Sequence, residues 1–202
     1  MSSGSSPAST PDRAPQAQKA LKYKYDAFIE EWTCEECVVM IARKPFAEGG
    51  MRWCYKMYEI DKNGKHAPGV AKTFKDDALE DETAEDIAKA YFDEAMTQTV
   101  ADSFAQQWNQ VLGDDPKNAS LKCRFLPVRV MQFYGKAGPR SLCNCEPYLQ
   151  GSYVKHNDND GHVETSLEVP QAFSHFTWEY SNGLILVCDI QGLAVAWLSF
   201  FY

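Results

Sequence analysis

Apolar positions along this chain change their period several times, and each change marks an element. Residues 37–43, Cys-Val-Val-Met-Ile-Ala-Arg, are rich in β-branched side chains and predict a strand. The Gly49-Gly50 pair that follows permits a tight turn. Residues 53–60 predict a second strand, Asp61-Lys-Asn-Gly64 a turn, and residues 69–74 a third short strand, together an antiparallel sheet with hairpin connections. From Thr83 the period lengthens. Apolar residues fall at Ile87 and Tyr91, then at Phe92, Met96, Val100, Phe104 and Trp108, with acidic residues and glutamine between them, which predicts one long helix ended by Gly113-Asp-Asp-Pro116. Strands are predicted over 128–133 and 141–147. A helix with proline in its first turn follows over 170–179, then a turn at Ser181-Asn-Gly183 and a buried strand over 184–190. The class is α+β: a sheet, a long packing helix, more sheet, and the start of a second lobe.

Composition narrows the picture. The chain has 202 residues, 45% of them hydrophobic and 24% charged, which excludes collagen-like, coiled-coil and wholly disordered chains. Twenty basic residues against 28 acidic ones leave a net charge of −8, which argues against nucleic acid as a partner. Seven cysteines, an odd number unevenly spaced, suit reduced thiols and a cytoplasmic protein better than a disulfide framework. The first eighteen or so residues are dominated by Ser, Pro, Gly, Ala and Gln, contain no apolar core of a signal peptide, and predict a flexible tail. The apolar end of the chain tempts a membrane-spanning reading. Asp189 and Gln191 in its middle oppose that reading, so no membrane partner is expected.

Generic nucleotide motifs are missing: there is no G-x-x-x-x-G-K-[ST], G-x-G-x-x-G, H-R-D or D-F-G. Cys34-x-x-Cys37 lacks a second pair of matching spacing, and Cys143-x-Cys145 is too short to supply one, so core or surface cysteines are the better account. Asn118-Ala-Ser120 is a chance glycosylation match in a cytosolic chain. Lys72 follows Val70-Ala71 on an apolar strand, where it is either solvated or aimed into a cleft as a point charge for phosphates. Arg52 after the glycine turn could supply a second cation there. Asp189 is a carboxylate within Leu-Ile-Leu-Val-Cys-Asp-Ile, and Gln191 lies on the same side of an extended chain. The two oxygens suit a hard cation such as Mg²⁺, and a structural aspartate near a strand end stands level with that reading.

Five segments then occur in a telling order: Pro45-Phe-Ala-Glu-Gly-Gly-Met-Arg52, Val70-Ala-Lys72, Cys145-Glu-Pro-Tyr-Leu-Gln-Gly-Ser-Tyr-Val-Lys-His-Asn157, Pro170-Gln-Ala-Phe-Ser-His-Phe-Thr177 and Asp189-Ile-Gln-Gly192. Over about residues 38–192 the chain resembles the alpha-kinase family, atypical protein kinases that include the elongation-factor and myosin heavy-chain kinases. The last two segments carry most of the specificity. The resemblance implies a two-lobed kinase-like fold whose N-lobe is an antiparallel sheet with a long packing helix. It implies transfer of the ATP γ-phosphate to serine or threonine of a protein substrate, with ATP and Mg²⁺ as cofactors. By the same likeness Lys72 and Arg52 grip the phosphates, and Glu146 and Tyr148 lie where backbone groups meet adenine. Asp189 is the catalytic aspartate, Gln191 a metal ligand, and His175 the first ligand of a zinc site.

The likeness also sets a departure. After Gly192 the family continues with a second metal-binding aspartate and the remaining zinc ligands, whereas this chain runs Leu193-Ala-Val-Ala-Trp-Leu-Ser-Phe-Phe-Tyr202. The expectation is residues 1–20 as a disordered tail, 21–192 as an alpha-kinase-type catalytic domain with an incomplete C-lobe and zinc site, and 193–202 as a divergent apolar tail, with activity impaired. The alternative is a non-catalytic nucleotide-binding or regulatory module that keeps the N-lobe fold.

Overall fold

The computed structural model describes residues 15–136, 141–163, 168–193 and 196–201. Ten strands and two helices follow in the order β1 (Ala17–Asp26), β2 (Glu31–Ile41), β3 (Ala47–Glu48), β4 (Arg52–Ile60), β5 (His66–Phe74), α1 (Ala84–Leu112), β6 (Arg129–Phe133), β7 (Leu142–Pro147), β8 (Val154–Lys155), α2 (Glu168–Tyr180), β9 (Val187–Leu193) and β10 (Ala196–Phe201).

Seven strands form an antiparallel sheet in the order β2-β1-β6-β7-β5-β4-β3, and β2 pairs again with β4. That extra pairing, from Val38 against Ile60 to Ile41 against Met57, closes six of the strands into a barrel. Closure removes the exposed edges an open sheet would carry. Side chains alternate in and out. Ala20, Val39, Met57, Ala71, Met131, Phe133, Cys143 and Cys145 fill the interior, with alanines where space is narrowest. At one mouth Lys22 donates to Glu59 at 2.6 Å and lies 2.9 Å from Glu35. At the other a cavity of about 450 Å³ is lined by Trp53, Tyr55 and Phe133.

Strand β1 corrects the tail boundary. Residues 17–20, counted within the tail, belong to the barrel, and Ala20 is fully buried. The Lys-Tyr-Lys-Tyr run reads as polar, but its inward lysine is neutralised by Glu35 and Glu59 on strands distant in sequence. Residues 1–14, the rest of the predicted tail, lie outside the described residues.

Helix α1 is 29 residues long, about 44 Å, and serves both lobes. Thr83 caps it: its hydroxyl accepts from Asp86 N at 3.2 Å, and Asp86 answers the Thr83 amide. The N-terminal half packs Ile87, Tyr91 and Ala95 on the outer barrel face against Val128, Val130 and Leu142. The C-terminal half packs Ala101 and Ala105 against Phe173 of α2 and Val187 and Ile190 of β9. The buried seam therefore runs through small residues, whereas the predicted seam members Met96 and Val100 are half-buried.

The smaller lobe is α2 with the antiparallel sheet β10-β9-β8. The predicted strand over 184–190 is displaced toward the C-terminus. Leu184 is 84% exposed in a turn, and the strand begins at Val187. The segment set aside as a divergent tail supplies β10, which pairs antiparallel with β9. Among the described residues no helix is long and apolar enough to cross a membrane.

Candidate active site

Inside–outside alternation settles where Lys72 points. Its neighbour Ala71 fills the barrel, so Lys72 faces outward, as do Glu146 on β7 and Arg52 on β4. Lys72 Nζ lies 2.8 Å from Glu146 Oε1, with both side chains largely buried. Arg52 forms an ion pair with Glu94 of α1, and its guanidinium lies 4.0 Å over the Phe74 ring. Burial pushes the Glu94 carboxyl above the usual carboxylate range, while Arg52 and Lys72 pull it back. The two pairs thus form one four-charge cluster. Arg52 Nη1 is buried without a hydrogen-bond partner. Tyr148, at the end of β7, donates its amide to Pro68 O at 3.3 Å and turns its half-exposed ring toward Phe46.

The second group belongs to the smaller lobe. Asp189 has φ 51°, in the left-handed region. It lies in a bulge: between the pairs Leu198–Gln191 and Phe200–Cys188, β9 holds two residues and β10 one. The bulge interrupts the simple alternation between Asp189 and Gln191. Gln191 instead stands directly opposite Lys155 of β8 and shares a sheet face with it. Lys155 Nζ lies 3.3 Å from Asp189 Oδ1, so a β8 lysine faces the Asp189 carboxylate. That carboxylate oxygen is buried and makes no hydrogen bond. A carboxylate at Asp189 and an amide oxygen at Gln191, two residues on, are donor types that suit Mg²⁺.

Tyr153, just before β8, connects the groups. Its side chain is more than half exposed. Partial desolvation raises its pKa first, and the Glu146 and Asp189 carboxylates raise it further. Tyr153 thus lies within electrostatic range of both the Glu146 and the Asp189 carboxylates.

His175 does not join them. It is 75% exposed on α2, with Glu179 Oε1 at 4.0 Å as its ion partner. Among the described residues no three His, Cys, Asp or Glu side chains gather as a metal site, so the residues present do not fit the zinc expected from the family. Cys34 is exposed on β2, whereas Cys37 packs against the barrel core.

Sequence reasoning missed Glu94, Lys155 and Tyr153 as site residues. Glu94 had a signal: three residues after Tyr91 and four before Gln98, it falls on the inward seam of α1, where a carboxylate needs a partner. Lys155 and Tyr153 stood within a quoted motif but carried no assigned role.

Next to this cleft, His156 is fully buried, and burial lowers its pKa below the ordinary 6.5. The folded state then resists a proton that the unfolded chain accepts near pH 6.5. Stability is therefore expected to fall as pH drops below about 6.5, and His156→Phe should flatten that decline. Melting curves between pH 7.5 and 5 check this; equal slopes for both chains would refute it.

The family model of the alpha-kinase family matches residues 47–200, and the chain belongs to that family. The match continues past Gly192 into β10. Myosin heavy chain kinase B of Dictyostelium discoideum is 33% identical over 180 residues, covering 88% of this chain and 23% of that protein. Eukaryotic elongation factor 2 kinase of Homo sapiens is 29% identical, covering 87% of this chain and again 23% of the relative. The chain thus spans about a quarter of these relatives' length. Among solved structures, the alpha-kinase domain of myosin-II heavy chain kinase A in complex with AMP-PNP superposes with a TM-score of 0.78 at 24% identity, over 92% of this chain and 81% of that one. The C-terminally truncated alpha-kinase domain of myosin heavy chain kinase gives 0.75 at 26% identity, over 90% and 82%.

Proposed function

We propose that this chain is a protein kinase domain that binds ATP between its lobes and transfers the γ-phosphoryl group to serine or threonine of a protein substrate. The observation that supports this reading best is Tyr153, which lies within electrostatic range of both Glu146, the partner of Lys72 beside Arg52, and the Asp189 carboxylate of the smaller lobe. Phosphoryl transfer asks a protein mainly to position oxygens and neutralise their charge. Lys72 and Arg52 hold the phosphates, and the backbone around Glu146 and Tyr148 meets the adenine edge. Asp189 orients the substrate hydroxyl and accepts its proton, and Lys155 faces its carboxylate at 3.3 Å. Asp189 and Gln191 would hold Mg²⁺, which when bound neutralises phosphate-oxygen charge. The net charge of −8 favours a basic substrate segment. Seven free thiols suit the reducing cytoplasm.

Both cations already face carboxylates, so phosphate oxygens must share them with Glu146 and Glu94. That pairing also suits the second reading, a regulatory module that binds nucleotide and transfers nothing. Either way, MgATP at a hundredfold excess over Kd should stabilise the fold by about 2.7 kcal/mol, a rise in Tm of roughly 5–10 °C for a chain of this size. Lys72→Ala should abolish most of that rise. No rise in the parent chain would overturn nucleotide binding at this cleft.

A further inference from the structure

A left-handed aspartate in a bulge persists only where its surroundings hold it. The amides on either side of Asp189 are held by side chains. Val187 N donates to Thr177 Oγ1 at 3.0 Å, and Ile190 N donates to Asn157 Oδ1 at 2.8 Å. Asn157 is itself braced: its Nδ2 donates to Gln171 Oε1 at 2.8 Å and to Ser174 Oγ at 3.3 Å. Gln171, Ser174 and Thr177 are spaced by three along α2 and form a single stripe. Asn157 and Thr177 are both buried. Gln171, Ser174 and Thr177 of the Pro-Gln-Ala-Phe-Ser-His-Phe-Thr segment therefore serve as a rail, and Asn157 couples that rail to the residue next to Asp189. Asparagine suits the place because its side chain accepts at one atom and donates from the other. Leucine of similar size does neither.

We infer that Asn157 is a positioning residue: braced by Gln171 and Ser174, it holds the Ile190 amide and so fixes the aim of the Asp189 carboxylate. The inference rests on the proposed role of Asp189 in phosphoryl transfer. Small misplacements of a reacting group can cost on the order of a hundredfold in rate. Asn157 touches neither Lys72 nor Arg52, so nucleotide grip should survive its loss.

The test compares the full chain with Asn157→Leu and with Gln171→Leu, which removes only the brace. Steady-state transfer from MgATP to a basic serine-containing peptide is read alongside hydrogen exchange at the Ile190 amide and the melting temperature. Asn157→Leu should lower kcat roughly tenfold to a hundredfold, leave the KM for ATP within about twofold, and speed exchange at Ile190. Gln171→Leu should do the same more weakly, and it carries the test if Asn157→Leu does not fold. Unchanged kcat would overturn the inference, as would a kcat loss without faster Ile190 exchange. Joint changes in kcat and KM that merely track the melting temperature would overturn it as well. A folded parent that transfers no phosphate, with exchange still accelerated in the variant, would instead defeat the kinase reading, and the positioning role with it.

Discussion

Replacing Arg52 with leucine is expected to cost the fold about 3 kcal/mol at neutral pH, because it strands the buried Glu94 carboxylate among Phe74, Tyr91 and α1. For a chain of this size that corresponds to a fall in Tm of roughly 6–12 °C. The deficit has a pH signature. Without Arg52, burial acts on Glu94 unopposed by its nearest cation, and its folded-state pKa, already raised, climbs further. An acid whose pKa is raised on folding destabilises the fold only where it is ionised, so the deficit should shrink as pH falls and Glu94 takes up a proton. The double variant Arg52→Leu/Glu94→Leu should recover most of the loss, since an apolar pair can replace a buried ion pair at little cost. Melting curves of the three chains at pH 7.5 and pH 5 check both statements. A single variant as stable as the parent would show that the pair contributes nothing.

Asp189→Asn is the second large effect. Asparagine tolerates the left-handed backbone and keeps the side chain's size, so the bulge should survive. What is lost is the charge that Lys155 faces and the group that accepts the substrate proton. Transfer should fall by about 10²–10⁴-fold, while the affinity for metal-free nucleotide changes by a few-fold at most, because Lys72 and Arg52 stand on the other lobe. Initial rates together with calorimetric titration of an ATP analogue separate the two quantities. A variant within tenfold of the parent in rate would remove Asp189 from the reaction.

How much of this was legible in the sequence follows from the range of the forces involved. Strands β4 to β7 and helix α1 were legible because local alternation, turn residues and a capping threonine specify them. Lys72 stood out because a charge beside Val70-Ala71 breaks an apolar run, and Asp189 for the same reason. Strand β1 was not legible: Lys22 looks solvated until Glu35 and Glu59 are brought to it by barrel closure. The β2–β4 pairing that closes the barrel is likewise non-local. The bulge at Asp189 depends on β10 and on Asn157, neither of which the local pattern of β9 announces. Apolarity alone draws Leu184 into the predicted strand, although the turn from Ser181 leaves it in solvent. The zinc expectation rests on likeness, and among the described residues no group of three potential ligands gathers at His175.

The central claim is that the inter-lobe cleft passes phosphate from ATP to a hydroxyl. Incubating the full chain with Mg²⁺ and ATP labelled in the γ position, in the presence of a basic peptide bearing serine and threonine, tests it most directly. Label is expected on those hydroxyl side chains, with none on the peptide when Asp189→Asn replaces the parent. A natively folded parent that binds ATP yet leaves the peptide unlabelled would contradict the account.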